Sequence, residues 1–213
     1  MRGNEGKHHN LRIEDSEGRK LVPGKVLSDT FYGRDPAVVA RDLLGMRLIR
    51  RLDGEVLEGA IVETEAYYGL RDPASRAFHG MKNYNRLMWL EPGRAFVYNV
   101  HRYWMFNIVA HEPGEVGAVL IRALEPAKGV EIMLRNRPVE DLRELTSGPG
   151  KLTTALDIDK GLHGADVTTD RSEIFVVADD LDFEVGTSHR IGVRRDLEEE
   201  LRFFVKGNRF VSR

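Results

Sequence analysis

Cysteine is absent from the 213 residues, which excludes disulfides, thiol nucleophiles and Cys-ligated zinc, and is compatible with a reducing compartment. There is no apolar run approaching the ~18 residues of a membrane span, and the polar opening Met1-Arg2-Gly3-Asn4-Glu5-Gly6-Lys7 lacks the apolar centre of a secretion signal. The expectation is a protein that is neither membrane-bound nor secreted. Seven histidines show no His-Glu-x-x-His spacing, and no acidic loop has EF-hand form. No metal site is therefore expected. The near-glycine-loop Ser147-Gly148-Pro149-Gly150-Lys151-Leu152 has Leu145 where a phosphate loop needs its first Gly and Leu152 where it needs Ser or Thr. It reads as a turn opening a helix, able to face an anion or simply to pack.

A large net charge is also missing: 32 Lys+Arg against 34 Asp+Glu give −2. That balance hides an asymmetry. Between residues 67 and 106 six cations (Arg71, Arg76, Lys82, Arg86, Arg94, Arg102) meet two acids (Asp72, Glu91), so this stretch carries +4 and the remainder −6. The same stretch holds ten of the seventeen aromatics. Cations interleaved with flat rings suit a surface that grips phosphates and stacks bases, or an aromatic core with a basic rim. The acidic runs 179–182 and 196–200 read as solvated turns facing away from any nucleic acid.

Length and composition point to one domain, residues 23–213, behind an arm over residues 1–22 that is expected to be loosely ordered and without function. Asp35-Pro36 starts a helix that Gly45 ends. Strands 47–52 and 56–65 flank the Asp53-Gly54 turn as a hairpin. Residues 68–93, rich in Gly and Pro, form a long connection with one short helical piece near 85–89, of the kind that is usually functional. A second hairpin, 95–100 with 104–109, presents His101, Arg102 and Tyr103 at its tip. A strand follows at 118–124, then helical segments at 129–136, 140–145 and 151–156. Late strands are expected at 174–177 and as a pair, 202–205 with 209–212, across Gly207-Asn208. Without βαβ alternation this predicts an α+β fold. Its sheet should be curved, mostly antiparallel and partly barrel-like, flanked by helices, with a protruding hairpin. Glu63 and Glu65 lie two apart on a strand, roughly 7 Å from one another on one face. That face is expected not to be the core face, and either Glu65 serves as a general base or both acids are merely solvated.

The run Gly59-Ala60-Ile61-Val62-Glu63-Thr64-Glu65-Ala66-Tyr67 followed by Asp72-Pro73-Ala74-Ser75 resembles the core signature of the alkyladenine (3-methyladenine) DNA glycosylase family. Further fragments keep the family's order: Asn85-Arg86 with Met88, Pro92-Gly93, Val97-Tyr98, Asn107, Leu120 to Pro126, Ser147-Gly148-Pro149 with Lys151-Leu152, and Leu201 to Gly207. Together they span residue 27 to the C-terminus. The resemblance implies a monofunctional hydrolase of base-excision repair, acting without metal or cofactor as a monomer on double-stranded DNA. It would flip alkylated or deaminated purines (3-methyladenine, 7-methylguanine, hypoxanthine, ethenoadenine) out of the stack and hydrolyse their N-glycosidic bond. Such an enzyme would work in the cytoplasm, on the nucleoid of a prokaryote, or in a eukaryotic nucleus.

Carried over by position, the resemblance makes Glu65 the general base and Arg122 the holder of the attacking water. Tyr67 and Tyr98 become the rings that sandwich the base, and Asn107 the pocket floor. Asn85 and Arg86 fall with the DNA-contacting residues, and Glu63 is left a structural role. Two departures stand out. Arg76 occupies the place of a histidine that bonds the base. As Arg has donors only, it can contact a purine acceptor, stack on the base, or face a phosphate while His79 takes the pocket. The hairpin tip is also shorter than the family's, which leaves the intercalating wedge open among His101, favoured by position, Tyr103, favoured by chemistry, and Arg102. Two other readings remain: a lesion or RNA binder without catalysis, and a glycoside or nucleoside hydrolase using Glu63 and Glu65 as its pair.

Overall fold

Fourteen residues of continuous strand, Glu55–Tyr68, organise the molecule. The computed structural model describes residues 13–18 and 20–212. In chain order its elements are β1 (Ile13–Glu14), β2 (Lys20–Leu21), α1 (Asp29–Tyr32), α2 (Pro36–Asp42), β3 (Arg47–Leu52) and the long β4 (Glu55–Tyr68). They continue with β5 (Ala95–Val100), β6 (Tyr103–Val109), β7 (Gly117–Lys128), α3 (Val130–Asn136), α4 (Pro149–Ala155), β8 (Ile174–Val177), β9 (Val185–Ser188) and β10 (Arg202–Val205). Single 3-10 turns lie at Arg86–Trp89, Leu142–Glu144 and Lys160–Leu162. Every strand pairing is antiparallel. The fold is α+β, one domain around a curved half-barrel sheet of order β5-β6-β7-β4-β10-β9, with β3 joining β4 to β8. No helix among the described residues is long and apolar enough to cross a membrane.

Local chemistry explains the elements. The Asp35 carboxylate accepts from the Ala37 and Val38 amides, and Pro36 fixes the first helical φ, so α2 begins there. Asp53 and Gly54 both take positive φ (50° and 84°), as a two-residue turn between twisted strands requires, and β3 pairs with β4 from Leu52↔Glu55 to Arg47↔Ala60. One edge of β4 then changes partner, from β3 along residues 55–60 to β10 along residues 63–65, while β7 follows its other edge from Glu58 to Tyr68. A strand shared in this way has to bend.

The bend is built by irregular register: Ile61 pairs with Leu124, Glu63 with Ala123 and Thr64 with Ile121, so Val62 and Arg122 are each an extra residue. The bulges reset the alternation of side chains. Ile61, Ala66, Ile121 and Leu124 join the main core with Val39, Ala40 and Leu43 of the α2 segment, and Thr64 Oγ1 donates to the Ala40 carbonyl at 2.7 Å. Val62 and Ala123 instead pack with Phe210 on the opposite face. Fully burying each such aliphatic side chain is worth roughly 1.5–3 kcal/mol, which makes this two-sided packing of β4 and β7 the rigid base of the site.

Several expectations need correction. Residues 209–212 are turn and bend, not a strand, and β10 pairs with β4 and with β9, which the sequence reading did not contain. The second hairpin turns on two residues: Tyr103 belongs to β6 and pairs with Val100, leaving His101 (φ 54°) and Arg102 as the tip. Of the segment expected to be an arm, residues 1–12 lie outside the described residues. Beyond them, β1 and β2 form a small ribbon whose Asp15 meets Arg34 at 3.2 Å and whose Ser16 hydroxyl donates to Asp42 at 2.9 Å.

Candidate active site

β4 presents Glu63, Glu65 and Tyr67 to one side, and both carboxylates are fully buried. They share a face, as expected, and it is not the face of the main core. They are not solvated, however, because β10, the 188–192 segment and the C-terminal residues cover them. Long-range partners supply the compensation that burying two acids demands. Glu63 Oε1 accepts from Arg122 Nε (2.8 Å), Arg202 Nε (2.7 Å) and Ser212 Oγ (2.8 Å), and Oε2 from the Ser212 amide (2.6 Å). Burial alone would raise the Glu63 pKa, but the two guanidiniums and the Ser212 donor outweigh it and hold the group below the ordinary carboxylate value.

Glu65 has fewer partners. Its Oε1 accepts from the Ile191 amide at 2.7 Å, its Oε2 from the Tyr67 hydroxyl at 2.8 Å, and Arg122 Nη1 stands 3.2 Å from Oε2. Burial, followed by the neighbouring Glu65 charge, pushes the Tyr67 phenol well above its ordinary value, so it stays a proton donor. Arg122 thus does two things at once: it pairs with an internal carboxylate, Glu63, and it reaches Glu65.

In front of this cluster opens a cleft of about 840 Å³, whose wall includes Tyr67, Tyr98, Arg76, His79, His101 and Arg122, together with Met105, Leu120, Pro149 and residues 191–195. Arg76 is exposed and lays its guanidinium 4.7 Å from the Tyr98 ring centre. It has no ion-pair partner among the described residues. Burial raises the Tyr98 pKa against the opposing pull of Arg76. His101 sits at the apex of the hairpin, beside exposed Arg102. Tyr103 is set back from it, its Cβ against Gly150, where an added methyl would come within 2.9 Å.

Other expected residues fall elsewhere. Asn107 is buried behind the cleft, its amide donating to Phe96 O (3.0 Å) and Met105 O (3.3 Å). Asn85, placed by the sequence among DNA contacts, is fully buried. Its amide NH₂ donates to Arg76 O (2.7 Å) and Gly80 O (3.1 Å) and its oxygen accepts from Lys82 N (2.6 Å), so it folds the 76–85 loop. Arg86 is exposed on a second cavity, of about 800 Å³, shared with Tyr84, Trp104, Lys160 and His163. No group of three or more metal-ligating side chains occurs among the described residues.

The sequence reading missed one element. Buried Arg190 forks onto Asp72 (2.6 and 2.8 Å), donates to Asp196 (2.8 and 2.6 Å) and to Ala66 O (2.9 Å), and lies 4.6 Å from the Tyr67 ring centre. It ties the loop carrying the Ile191 amide to β4. Asp196 is therefore no solvated turn residue. Arg190 holds its pKa below the ordinary value against the effect of burial. The signal available in the sequence was three arginines, 190, 194 and 195, within six residues of an otherwise acidic stretch.

A family model described as methylpurine-DNA glycosylase matches residues 30–209. The chain belongs to the methylpurine-DNA glycosylase family. Among curated relatives, provisionally named 3-methyladenine DNA glycosylases, the protein of Aeropyrum pernix is 42% identical over 89% of this chain and 94% of its own length. That of Rhodopirellula baltica is 40% identical over 98% and 93%, and that of Mesorhizobium japonicum 44% identical over 84% and 86%. The resemblance read from the sequence thus holds over most of the chain. The protein is an N-glycosylase, a hydrolase of DNA base-excision repair in the class that acts on alkylated bases.

Proposed function

We propose that this glycosylase acts on double-stranded DNA, draws a damaged purine into the cleft between Tyr67 and Tyr98, and hydrolyses its glycosidic bond with a water directed by Glu65. A purine inside the stack hides its sugar carbon, so eversion has to precede chemistry. The rings that line the cleft suit a base once everted, with stacking worth roughly 1–3 kcal/mol and tolerant of varied lesions. At the hairpin apex His101, backed by Arg102, fills the gap left by the base.

The observation that carries the reading is the incomplete set of bonds on Glu65. An ionised carboxylate has about four acceptor sites. Two donors, the Ile191 amide and the Tyr67 hydroxyl, bond Glu65, and Arg122 Nη1 stands 3.2 Å from it as an ion-pair partner. Glu65 is itself fully buried, behind Tyr67 and Arg122 of the cleft wall, so the water takes its remaining acceptor capacity from their side. As the purine departs, positive charge develops on the sugar, and the same carboxylate stabilises it.

Glu63 already accepts four hydrogen bonds, three on Oε1 and one on Oε2, from two arginines and Ser212, which disfavours the two-carboxylate hydrolase. Arg76 can donate to a purine oxygen or ring nitrogen and cannot accept. Neutral lesions with such acceptors, hypoxanthine first, are therefore the favoured substrates within the lesion set. The test is incubation with duplexes carrying hypoxanthine or ethenoadenine and with methylated DNA, the freed base being identified by chromatography. Release of purine, leaving abasic sites, is expected. Tight binding without release would favour the inert binder, and release from free nucleosides alone would favour the nucleoside hydrolase.

A further inference from the structure

We infer that Glu63 is a positioning residue for hydrolysis: fully buried and bonded on both oxygens, it holds Arg122 so that only one arm of that guanidinium reaches Glu65. The inference rests on the function proposed above and extends it to a group that never meets substrate. Glu63 takes Arg122 Nε at 2.8 Å, which leaves Nη1 at 3.2 Å from Glu65 Oε2. On its other side Glu63 takes Arg202 Nε at 2.7 Å, and Arg202 stands opposite Glu65 in the β4–β10 register. Ser212 closes the arrangement from the C-terminus through its amide and hydroxyl.

Two carboxylates and two guanidiniums therefore share one buried volume with their charges balanced. The division matters for a base. If Arg122 were wholly committed to Glu65, it would occupy that carboxylate and weaken its pull on a water proton. With Glu63 as competitor, Glu65 keeps only part of the guanidinium. The charged or titratable groups facing Glu65 are Glu63 and Tyr67 on β4, Arg122 on β7, Arg202 on β10, Tyr98 on β5, and Arg190 beyond the Tyr67 ring. Removing the Glu63 charge makes the field at the Glu65 carboxylate more positive, and removing the Arg202 charge makes it more negative.

The experiment measures single-turnover release of hypoxanthine from a duplex as a function of pH, for wild type, Glu63→Gln and Arg202→Gln, with a thermal melt of each protein. The acid limb is expected to move down by about one pH unit in Glu63→Gln and up by about one in Arg202→Gln, as expected for unit charges several ångströms away in a partly screened interior. Glu63→Gln should also lower the plateau rate. Limbs that stay with wild type, or that move in the same direction in both variants, overturn the inference. If Glu63→Gln does not fold, the direction of the Arg202→Gln shift decides alone. A wild type that releases no base refutes the proposed function instead, so the two failures are distinguishable.

Discussion

Replacing Arg190 by Met removes one charge while keeping similar bulk, and it strips partners from two acids at once. Asp72 is fully buried and loses two hydrogen bonds at 2.6 and 2.8 Å. Asp196, with 17% of its side chain exposed, loses two more. Breaking a buried ion pair by removing one partner costs about 3–5 kcal/mol. The Tyr68 and Ala74 amides still donate to Asp72, each at 3.0 Å, which places the expected loss in the lower half of that range. For a chain of this size each kcal/mol moves the melting temperature roughly 2–4 °C, so a fall of about 6–16 °C is expected. The next residue donates its amide to Glu65, so release of base should also slow by tenfold or more, roughly the ~1.5–3 kcal/mol of a hydrogen bond to a charged group. Circular-dichroism melts and single-turnover release at a temperature where the variant is folded measure the two effects. Adding Asp72→Asn should recover part of the lost stability, because a neutral amide can stay buried without a cation. A melt within about 2 °C of wild type, or full activity despite a lowered melt, would refute the account of this loop.

Three shorter tests follow from the same geometry. Arg76→Gln should shift selectivity towards cationic lesions: a second charge about 6 Å away at an effective dielectric near 40 is worth about 1.4 kcal/mol, so the ratio of 7-methylguanine to hypoxanthine release should rise roughly tenfold. An unchanged ratio places the guanidinium outside the base's reach. His101→Ala should weaken duplex binding roughly tenfold with its salt dependence intact, as loss of a stacking wedge does. Arg102→Ala should instead lower the salt slope by about one phosphate contact, and the reverse pattern would exchange their roles. For stability against pH, Glu63, Asp166 and Asp196 all have folded pKa values below their ordinary ones despite burial, through partners described above for Glu63 and Asp196 and through Thr168 for Asp166. Their stabilisation is complete above the unfolded carboxylate range and is lost as pH falls through the folded values. Burial also lowers the His163 pKa, so that imidazole costs stability once pH falls below its ordinary value. The denaturation midpoint should fall slightly from about pH 6.5 and more steeply below about pH 4, and a midpoint unchanged down to about pH 3 would contradict these assignments.

What the sequence made legible was local. The Asp35-Pro36 helix start, the Asp53-Gly54 hairpin and the alternation of residues 95–100 each rest on residues a few positions apart, and each element is where those residues point. The face shared by Glu63 and Glu65 was legible for the same reason, since a strand repeats every two residues. Their burial was not, because Arg122, Arg202 and Ser212 lie from 59 to 149 positions away from Glu63. β9 escaped notice because Val-Gly-Thr-Ser is short and has little apolar content, and it is held by pairing with β10. The same pairing takes β10 from its expected partner at 209–212. Arg190 was hidden among charges that looked solvated. Its role appears only when residues 72 and 190 come together, 118 positions apart in the chain.

The central claim is that the carboxylate of Glu65 directs the hydrolytic water, and Glu65→Gln tests it most directly, since Gln keeps the shape and one acceptor but cannot take a proton. Single-turnover release from a hypoxanthine duplex should fall by at least a hundredfold in that variant, the lower end of what general-base catalysis contributes, while its affinity for the lesion duplex stays within a few-fold of wild type. Release at the wild-type rate by a folded Glu65→Gln protein would contradict it.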